Sequence, residues 1–495
     1  MDLESLRTQV ERFYREIERE YYNNWTGISK ELHTEGIFER YRELFGLELI
    51  EKLALLREKN EAYWRFYSFS VGGYLDNEVK ELTDRYETLE SKIEVRVGDE
   101  RIPYRMISVI MRNTPEREKR SWIYHEMNKI LDWEINPILE ERMMKLHRTV
   151  ERLGYRNYRE LSADILGVDL FYVRELTDRL SIETREIYFE RMDDALRRNI
   201  GVPLQEAEKH DVARLFRAVE FDKFFPKEGS LKAYFNTLKS MDIDPEAGGR
   251  IKIDLEERAS KTPRAFCAPI IIPEEIMLVI KPQGGVDDWM ALFHEAGHSL
   301  HYGYTDPGLE VEYKRIGDMA VTETYAFLME YLTHNPSWLM LHTHMERSSL
   351  SRFLGYQYLY KLFFLRRYSA KLRYEIELHS EKLARGRELY TTIMEDELGF
   401  RHPGIHYLRD IDDLFYSAQY LRAWMMEATL RRFLQEEYGS EWYHNRRAGE
   451  FLRSLWRLGD KPRGIDVLRT LIGIELDVRD LIRELKEGLD DYHYS

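Results

Sequence analysis

The sequence is poor in several residue types and patterns, and each shortage excludes a class of protein. Among 495 residues there is one cysteine, Cys267, so no internal disulfide can form. No run of about twenty apolar residues is present, as a membrane-spanning helix would require. Positive charge is scarce relative to negative charge, and a formal net charge of −15 repels polyanions. We therefore expect a protein without disulfides, without membrane spans and without a nucleic-acid partner.

The first residues bear on the cellular location. Residues 1–22, "MDLESLRTQVERFYREIEREYY", are charged throughout and lack the apolar core of a signal peptide. A single cysteine also suits a reducing compartment. On these two grounds we expect a cytoplasmic protein.

The sequence is rich in helical periodicity. In "VERFYREIEREYYNNW" the apolar residues Val10, Phe13, Ile17 and Tyr21 recur at steps of three and four, which is typical of an amphipathic helix. Similar patterns occur along most of the chain, and the glycine and proline residues that would interrupt them are sparse. The predicted fold class is mainly α.

An extended region interrupts this pattern between residues 250 and 280. "GRIKIDLE" alternates apolar and polar residues, which is typical of a half-buried strand. In "CAPIIIPEEIMLVIKPQGG" two apolar runs are separated by Pro273, which favours an edge strand or a turn between strands. We interpret "EIMLVIK" as an exposed edge that could pair with an extended peptide. A glycine pair follows, and Asp287 or Asp288 is expected to N-cap the next helix.

That next helix contains the pentapeptide HEAGH, within "DDWMALFHEAGHSLHYGY". One helical turn separates His294 from His298, so both imidazoles can reach the same cation. Neutral imidazoles suit zinc, and Glu295 beside them is placed to take a proton from an attacking water. The motif therefore predicts a metal-binding helix with Glu295 as general base.

A catalytic zinc needs a third protein ligand and one open position. Glu323, 25 residues after His298, is the preferred candidate, because its neighbours on the same helix face are apolar. A buried carboxylate must be paired or bound to a metal. Asp318, 20 residues after His298, stays as a second candidate. Glu310 and Glu312 follow the segment "TDPG" and are expected to be solvated.

These motifs resemble those of the thimet oligopeptidase and oligoendopeptidase F family of zinc peptidases. The resemblance is carried by HEAGH, by the glutamate in "VTETYAF" 25 residues later, and by the strand-rich segment before the helix. "RLGYRNYREL" and "LFYSAQYLRAW" are also similar to family segments, and the likeness is specific from about residue 250 to 430. It implies that His294, His298 and Glu323 bind one Zn²⁺ per chain and that Glu295 is the general base.

The same resemblance implies an architecture, and it implies that a further histidine, His301, is not a metal ligand. The expected fold consists of two helical lobes around a deep channel, with a small β-sheet beside the HEAGH helix. We assign the N-terminal helical lobe to residues 1–200 and the zinc-binding catalytic lobe to residues 201–495. His301 is not expected to bind the metal, because family members often carry a histidine there without using it as a ligand.

Peptide hydrolysis places negative charge on the former carbonyl oxygen, so a hydrogen-bond donor is expected near it. Tyr416 and Tyr420 are four residues apart and share a helix face. Tyr420 aligns best with the family tyrosine that has this catalytic role, and Tyr416 and His406 are expected to contact substrate. Relatives are often glycine-rich before these tyrosines, whereas residues 417–419 are Ser-Ala-Gln here.

The sequence thus predicts a zinc metalloendopeptidase that hydrolyses short, unfolded oligopeptides. One alternative is a zinc carboxypeptidase or dipeptidase on the same fold, in which Arg264, Arg315 or Arg422 would hold the substrate terminus. Another is a catalytically inactive peptide-binding protein, although the residues that the chemistry requires at positions 294, 295, 298 and 323 are all present. Cobalt or manganese could occupy the same ligands.

Overall fold

The computed structural model describes residues 2–98, 100–258, 260–262, 264–380 and 383–492. Helices take up most of these residues, and short strands form one two-stranded and one three-stranded sheet. The prediction of a mainly α fold with a small sheet beside the HEAGH helix is confirmed. None of the helices described combines the length and the apolar character needed to span a bilayer.

Helices and strands are numbered separately in chain order. The α-helices are α1 Leu3–Trp25, α2 Thr34–Arg40, α3 Leu47–Leu56, α4 Glu61–Lys92, α5 Ile107–Asn113, α6 Arg117–Ile130, α7 Asn136–Arg152, α8 Tyr158–Leu166, α9 Leu170–Glu183, α10 Arg185–Asn199, α11 Lys209–Leu215, α12 Gly229–Ser240, α13 Val286–Tyr304, α14 Val311–Arg315, α15 Met319–Glu330, α16 Pro336–Thr343, α17 Arg347–Leu378, α18 Gly386–Leu398, α19 Tyr416–Tyr438, α20 Arg446–Trp456, α21 Val467–Ile472 and α22 Arg479–Asp491. The strands are β1 Glu94–Val97, β2 Glu100–Pro103, β3 Ile251–Asp254, β4 Phe266–Ile271 and β5 Glu275–Val279.

The chain divides into two compact units, each built from three stretches of sequence. Unit 1 comprises Met1–Val71, Glu220–Leu350 and Arg422–Leu481, and unit 2 comprises Gly72–Val219, Ser351–Leu421 and Ile482–Ser495. The predicted lobes, 1–200 and 201–495, are single stretches, and that assignment stays a prediction.

Unit 1 contains the three-stranded sheet, in the order β3-β5-β4. β5 pairs in parallel with β3 and antiparallel with β4, so it is the central strand. The interpretation of "EIMLVIK" as an exposed edge is therefore wrong, because both sides of this strand are hydrogen-bonded to neighbours. Four consecutive residues of this strand, 276–279, are buried, which is typical of a central strand covered on both faces.

Helix α1 shows how the sequence pattern leads to packing in unit 1. Val10, Phe13 and Ile17 are all buried, as the three- and four-residue spacing predicts. Asp2 caps the helix, since its side chain accepts a hydrogen bond from the Ser5 N–H at 2.8 Å. The buried face of α1 packs against strand β4 and closes one side of the sheet.

Unit 2 has a separate hydrophobic core around the β1–β2 hairpin. Val95 on β1 and Ile102 on β2 face each other across the antiparallel pair, and both are buried. Ile123 on α6 and Ile135 just before α7 complete this cluster with no exposed surface. The hairpin can therefore be short, because helices supply most of the apolar surface that stabilises it.

Candidate metal centre

The candidate metal centre is built on helix α13, which begins after two glycines with left-handed backbone. Gly284 and Gly285 have φ values of +86° and +97°, a region that is costly for residues with a Cβ atom. The Asp288 carboxylate accepts hydrogen bonds from the Gln283 and Gly284 N–H groups, both at 3.1 Å. No side chain caps the first turn, so the expected N-cap at Asp287 or Asp288 is wrong: Gly285 has that position.

A close approach of two helices brings the site together. A Cβ atom added at Gly297, inside HEAGH, would lie 2.5 Å from both the Ala326 Cα and the Tyr325 carbonyl oxygen. Helices α13 and α15 can touch backbone to backbone only because Gly297 has no side chain. This contact sets the imidazoles of α13 against the carboxylate of Glu323 on α15.

Three side chains converge between these helices. The Glu323 Oε2 atom lies 3.4 Å from the His294 Nε2 and 3.7 Å from the His298 Nε2. One ligand atom from each of the three residues falls within 4.8 Å of the other two. Glu323 is buried, as its apolar neighbours predict, and the histidines are partly exposed. Among the residues described, this is the one such cluster of histidine, cysteine and acidic side chains, and it could hold a metal ion.

Each imidazole is oriented through its other ring nitrogen. The His294 Nδ1 is 2.8 Å from the Glu330 Oε2, and the His298 Nδ1 is 2.8 Å from the Thr322 hydroxyl oxygen. These contacts leave both Nε2 atoms directed at Glu323. Support of this kind for metal-binding imidazoles is a regular feature of metal sites.

The two histidines differ in their protonation. Burial lowers the pKa of His298 to about 4, so its ring is neutral and able to bind a cation. Burial by itself would lower the pKa of His294. The hydrogen bonds of His294 to Glu323 and Glu330 have the larger effect and raise this pKa well above the usual value. A cation bound at the His294 Nε2 would displace that proton.

Glu295, on α13, is half-buried and lies close enough to the cluster to interact electrostatically with His294 and Glu323. Its Oε2 atom accepts a hydrogen bond from the Cys267 backbone N–H on β4 at 2.9 Å. Burial raises the pKa of Glu295 to about 7, with a smaller opposing effect of His294. The Cys267 thiol is half-buried, and burial together with the Glu295 carboxylate raises its pKa well above the usual value. The backbone of Cys267, rather than its thiol, contacts the predicted base.

The second ligand candidate, Asp318, is engaged elsewhere. Its carboxylate caps α15 by accepting a hydrogen bond from the Ala320 N–H at 3.1 Å. It also pairs with both terminal nitrogens of Arg422, at 2.9 and 2.6 Å, and accepts from the Gly464 N–H at 2.7 Å. Asp318 is therefore a structural residue that holds the start of the ligand-bearing helix.

Other predicted residues of unit 1 also have defined partners. Glu312 is fully buried and pairs with Arg7 at 2.6 Å, so the expectation that it is solvated is wrong, while Glu310 is exposed. His301 is fully buried between the rings of Tyr302 and Tyr325. Burial lowers the pKa of His301 to about 3. The Gly459 backbone has a smaller effect, which raises this pKa. His301 is not part of the metal cluster.

The predicted substrate-contacting residues lie in unit 2. The rings of Tyr416 and Tyr420 are edge to face at 4.8 Å, and the Tyr420 ring contacts Tyr368 at 5.5 Å. His406 is buried and stacks on Tyr124 with its Nε2 3.4 Å from the tyrosine hydroxyl. Burial lowers the pKa of His406 well below the usual value. The roles proposed for these residues in catalysis and binding stay predictions.

Sequence reasoning missed the residues that support the ligands. Glu330 follows Glu323 by seven residues, which is two helical turns, so both carboxylates lie on the face of α15 that meets α13. That spacing is a usable signal. Thr322 and the Cys267 N–H carry no sequence signal, because their part in the site depends on how α15 and β4 pack against α13.

The sequence matches no model of a known protein family, and no curated protein is significantly similar to it. The resemblance to zinc oligopeptidases is therefore carried by the motifs alone. The convergence of the two imidazoles and the carboxylate is a separate observation, since it is read from atomic positions.

Proposed function

We propose that the protein is a zinc-dependent metallopeptidase that hydrolyses peptide bonds in short, unfolded oligopeptides. One observation carries this proposal: the His294 and His298 Nε2 atoms and the Glu323 carboxylate converge, and Glu295 is near enough to interact electrostatically with His294 and Glu323. Two imidazoles, one carboxylate and an adjacent unbound carboxylate are the set that zinc hydrolases use.

The donor atoms favour zinc over harder cations. Calcium and magnesium prefer sites made of oxygen ligands, whereas two of the three donors here are imidazole nitrogens. Three protein ligands also leave a position open, as a catalytic site requires and a structural zinc site does not. A bound zinc ion would make water more acidic and polarise a carbonyl group.

The residues of the chain then have distinct tasks. Glu295 accepts a proton from the attacking water and delivers it to the nitrogen of the leaving amine as the C–N bond breaks. The Cys267 N–H donates to the Glu295 Oε2 atom and so fixes the orientation of this carboxylate. We propose Tyr420 as the donor to the developing oxyanion, with Tyr416 and His406 as substrate contacts.

The environment of the arginines argues for endopeptidase rather than carboxypeptidase action. Arg422 is fully buried against Asp318, and Arg315 donates to the Ile270 carbonyl oxygen at 2.8 Å. The Arg422 guanidinium is therefore not available to hold a substrate carboxylate, while Arg315 is half-buried over the Tyr14 ring and Arg264 is exposed. Peptides with an amidated C-terminus should be cleaved as fast as free peptides. Complete protection by the amide would instead favour the carboxypeptidase.

The central test uses Glu295→Gln in the full-length protein. We expect zinc content, measured by mass spectrometry of the metal, to stay near one per chain, because Glu295 is not one of the converging ligands. Cleavage of a quenched fluorescent peptide library should fall by at least about a thousandfold, since the substituted amide cannot accept the proton.

Glu323→Gln and Glu310→Gln complete the design. Glu323→Gln should lose zinc and activity together, because it removes the charge of a ligand. Glu310→Gln, an exposed position of the same unit, should retain both. Full turnover in Glu295→Gln would disprove its role as base. A wild-type protein that binds peptides but cleaves none would show the inactive peptide-binding protein instead.

A further inference from the structure

A strained turn precedes the helix that carries Tyr416 and Tyr420. Leu414 and Phe415 have φ values of 50° and 52°, so two successive residues with side chains adopt the left-handed conformation. This conformation is unfavourable for residues with a Cβ atom and persists only where the surrounding structure holds it. We call residues 412–415 the 412–415 turn.

Glu375 on helix α17 contacts both ends of this turn. Its Oε1 accepts a hydrogen bond from the Asp412 N–H at 2.7 Å, just before the strained pair. Its Oε2 accepts a hydrogen bond from the Ser417 hydroxyl, just after the pair. Glu375 and Ser417 have no exposed surface, so water does not compete for either bond. One carboxylate therefore spans the turn.

Three further contacts hold the residues between these ends. The Lys371 ammonium is 2.8 Å from the Asp412 carboxylate, and Arg142 pairs with Asp413 at 2.6 Å. The Leu414 N–H donates to the Tyr158 hydroxyl at 2.8 Å. These contacts hold the two residues before the strained pair and Leu414 itself, whereas the Glu375 bond to Ser417 joins the turn to the first turn of α19.

The side chain of Phe415 anchors the same segment in unit 2. It is fully buried, with its ring 6.3 Å from the Tyr158 ring and 5.4 Å from the His379 ring. Tyr416 follows at once, and Tyr420 lies one helical turn later with its ring 4.8 Å from that of Tyr416. The direction in which α19 starts, and with it the placement of both phenols, is thus set by the 412–415 turn.

We propose that Glu375 is a positioning residue for Tyr416 and Tyr420, which it places by clamping the 412–415 turn to the start of α19. The inference rests on the proposed peptidase function, because that function gives the tyrosines their role. A glycine-rich segment would leave the phenols mobile until substrate binds. The clamp places them beforehand, so less of the binding energy is needed to order them.

The test uses Glu375→Met, which removes both acceptors and keeps the length of the side chain. Ser417→Ala is a milder second variant, since it removes only the bond to the first turn of α19. Glu377→Met is the matched control, because this half-buried glutamate of the same helix faces Arg174 at 3.5 Å. Each full-length variant is measured for hydrogen–deuterium exchange, zinc content, kcat and KM.

For Glu375→Met we expect faster exchange confined to residues 412–420 and a kcat lower by about ten- to a hundredfold. KM should change less than about threefold, and zinc content should match the wild type, because Glu375 is not one of the cluster residues. Ser417→Ala should show the same pattern with smaller changes, and Glu377→Met should resemble the wild type.

Two results would overturn the proposal. Unchanged exchange at residues 412–420 in Glu375→Met would show that no clamp exists. Faster exchange with unchanged kcat would show a clamp that does not position the tyrosines for catalysis. If the wild-type protein cleaves no peptide, the proposed function itself is disproved. The exchange data are still interpretable then, because they do not depend on activity.

Discussion

In the candidate metal centre, each imidazole is oriented by a single hydrogen bond to a residue outside the cluster. His294 and His298 each have one ring nitrogen held by a neighbour, Glu330 or Thr322, which leaves the other nitrogen for a cation. A carboxylate partner also makes its imidazole more basic and hence a stronger ligand. The two histidines should therefore contribute differently to metal binding, with His294 the more sensitive to its partner.

Glu330→Gln tests this difference. The amide oxygen can still accept the His294 Nδ1 hydrogen, but without the negative charge, so we expect zinc affinity to fall by about tenfold or more. Competition with a chromophoric chelator measures the affinity. Thr322→Val is the comparison at His298, and it should weaken binding less, because it removes a neutral partner. Equal affinities for Glu330→Gln and wild type would contradict the assigned role of Glu330.

At the scale of secondary-structure elements, the candidate metal centre is formed where helix α13 packs against helix α15. Gly297 allows the backbones to touch, and Asp318 holds the N-terminus of α15 through its cap and its pairing with Arg422. The pairing of Asp318 and Arg422 is buried, so removing either partner would leave an uncompensated charge. Glu323 is only five residues from this fixed end, which limits how far its carboxylate can move.

Gly297→Ala should separate the two helices. The added methyl group would lie 2.5 Å from the Ala326 Cα, so the backbones must move apart. Such overpacking costs about 1–3 kcal/mol in the free energy of unfolding. We also expect zinc affinity to fall, because the imidazoles move away from Glu323. Urea unfolding and metal titration measure the two effects.

Gly36→Ala is the control for this substitution. Gly36 lies in helix α2, and an added Cβ there would have no neighbour within 4 Å. Alanine is the better helix former, so this variant should be unchanged or more stable by up to about 1 kcal/mol. Gly297→Ala with wild-type stability and metal affinity would show that the helix contact is not tight in solution.

At the scale of the whole molecule, both units contain histidines outside the candidate metal centre whose burial or partial burial favours the neutral form. Burial lowers the pKa of His342 in unit 1 to about 4 and that of His402 in unit 2 to about 3. It also lowers the pKa of His379 well below the usual value. The unfolded chain protonates such residues below about pH 6.5, while the folded protein does not. Their contribution opposes folding only below that pH, and it increases as the pH falls toward the folded values.

His402→Asn isolates one of these contributions. The His402 Nδ1 is 3.0 Å from the Phe400 carbonyl oxygen, and the asparagine amide can replace this donor. At pH 5, about 1.5 units below the unfolded pKa, the wild-type histidine should destabilise the protein by about 2 kcal/mol. In urea unfolding, the free energy of unfolding should therefore decrease between pH 7 and pH 5 by about 2 kcal/mol less in the variant than in the wild type.

The same substitution at His33, whose side chain is exposed, is the control for the pH effect. It replaces an exposed imidazole by the same amide, so the change measured for His402→Asn is compared with it to isolate the effect of burial. A His402→Asn variant with the pH dependence of the wild type would show that His402 is protonated equally in both states.

Local patterns predicted the parts of the site that lie within one helix. The four-residue spacing of His294 and His298 places them on one face wherever the helix packs, and the apolar neighbours of Glu323 required its burial. Two of the errors concern tertiary contacts. The strand patterns do not give the strand order, which places β5 between β3 and β4, and nothing near Glu312 shows that Arg7, 305 residues away, pairs with it.

By itself, the sequence determined a mainly helical protein with two histidines on one face of a helix and a buried carboxylate on another helix. These features follow from the 3.6-residue period of the helix and from the cost of burying charge, both of which act over a few neighbouring residues. Only the tertiary structure decided that Glu330 and Thr322 orient the two imidazoles, that Asp318 pairs with Arg422, and that Glu375 spans a strained turn. Each of these depends on a contact between distant segments, which only the folding of the whole chain brings together.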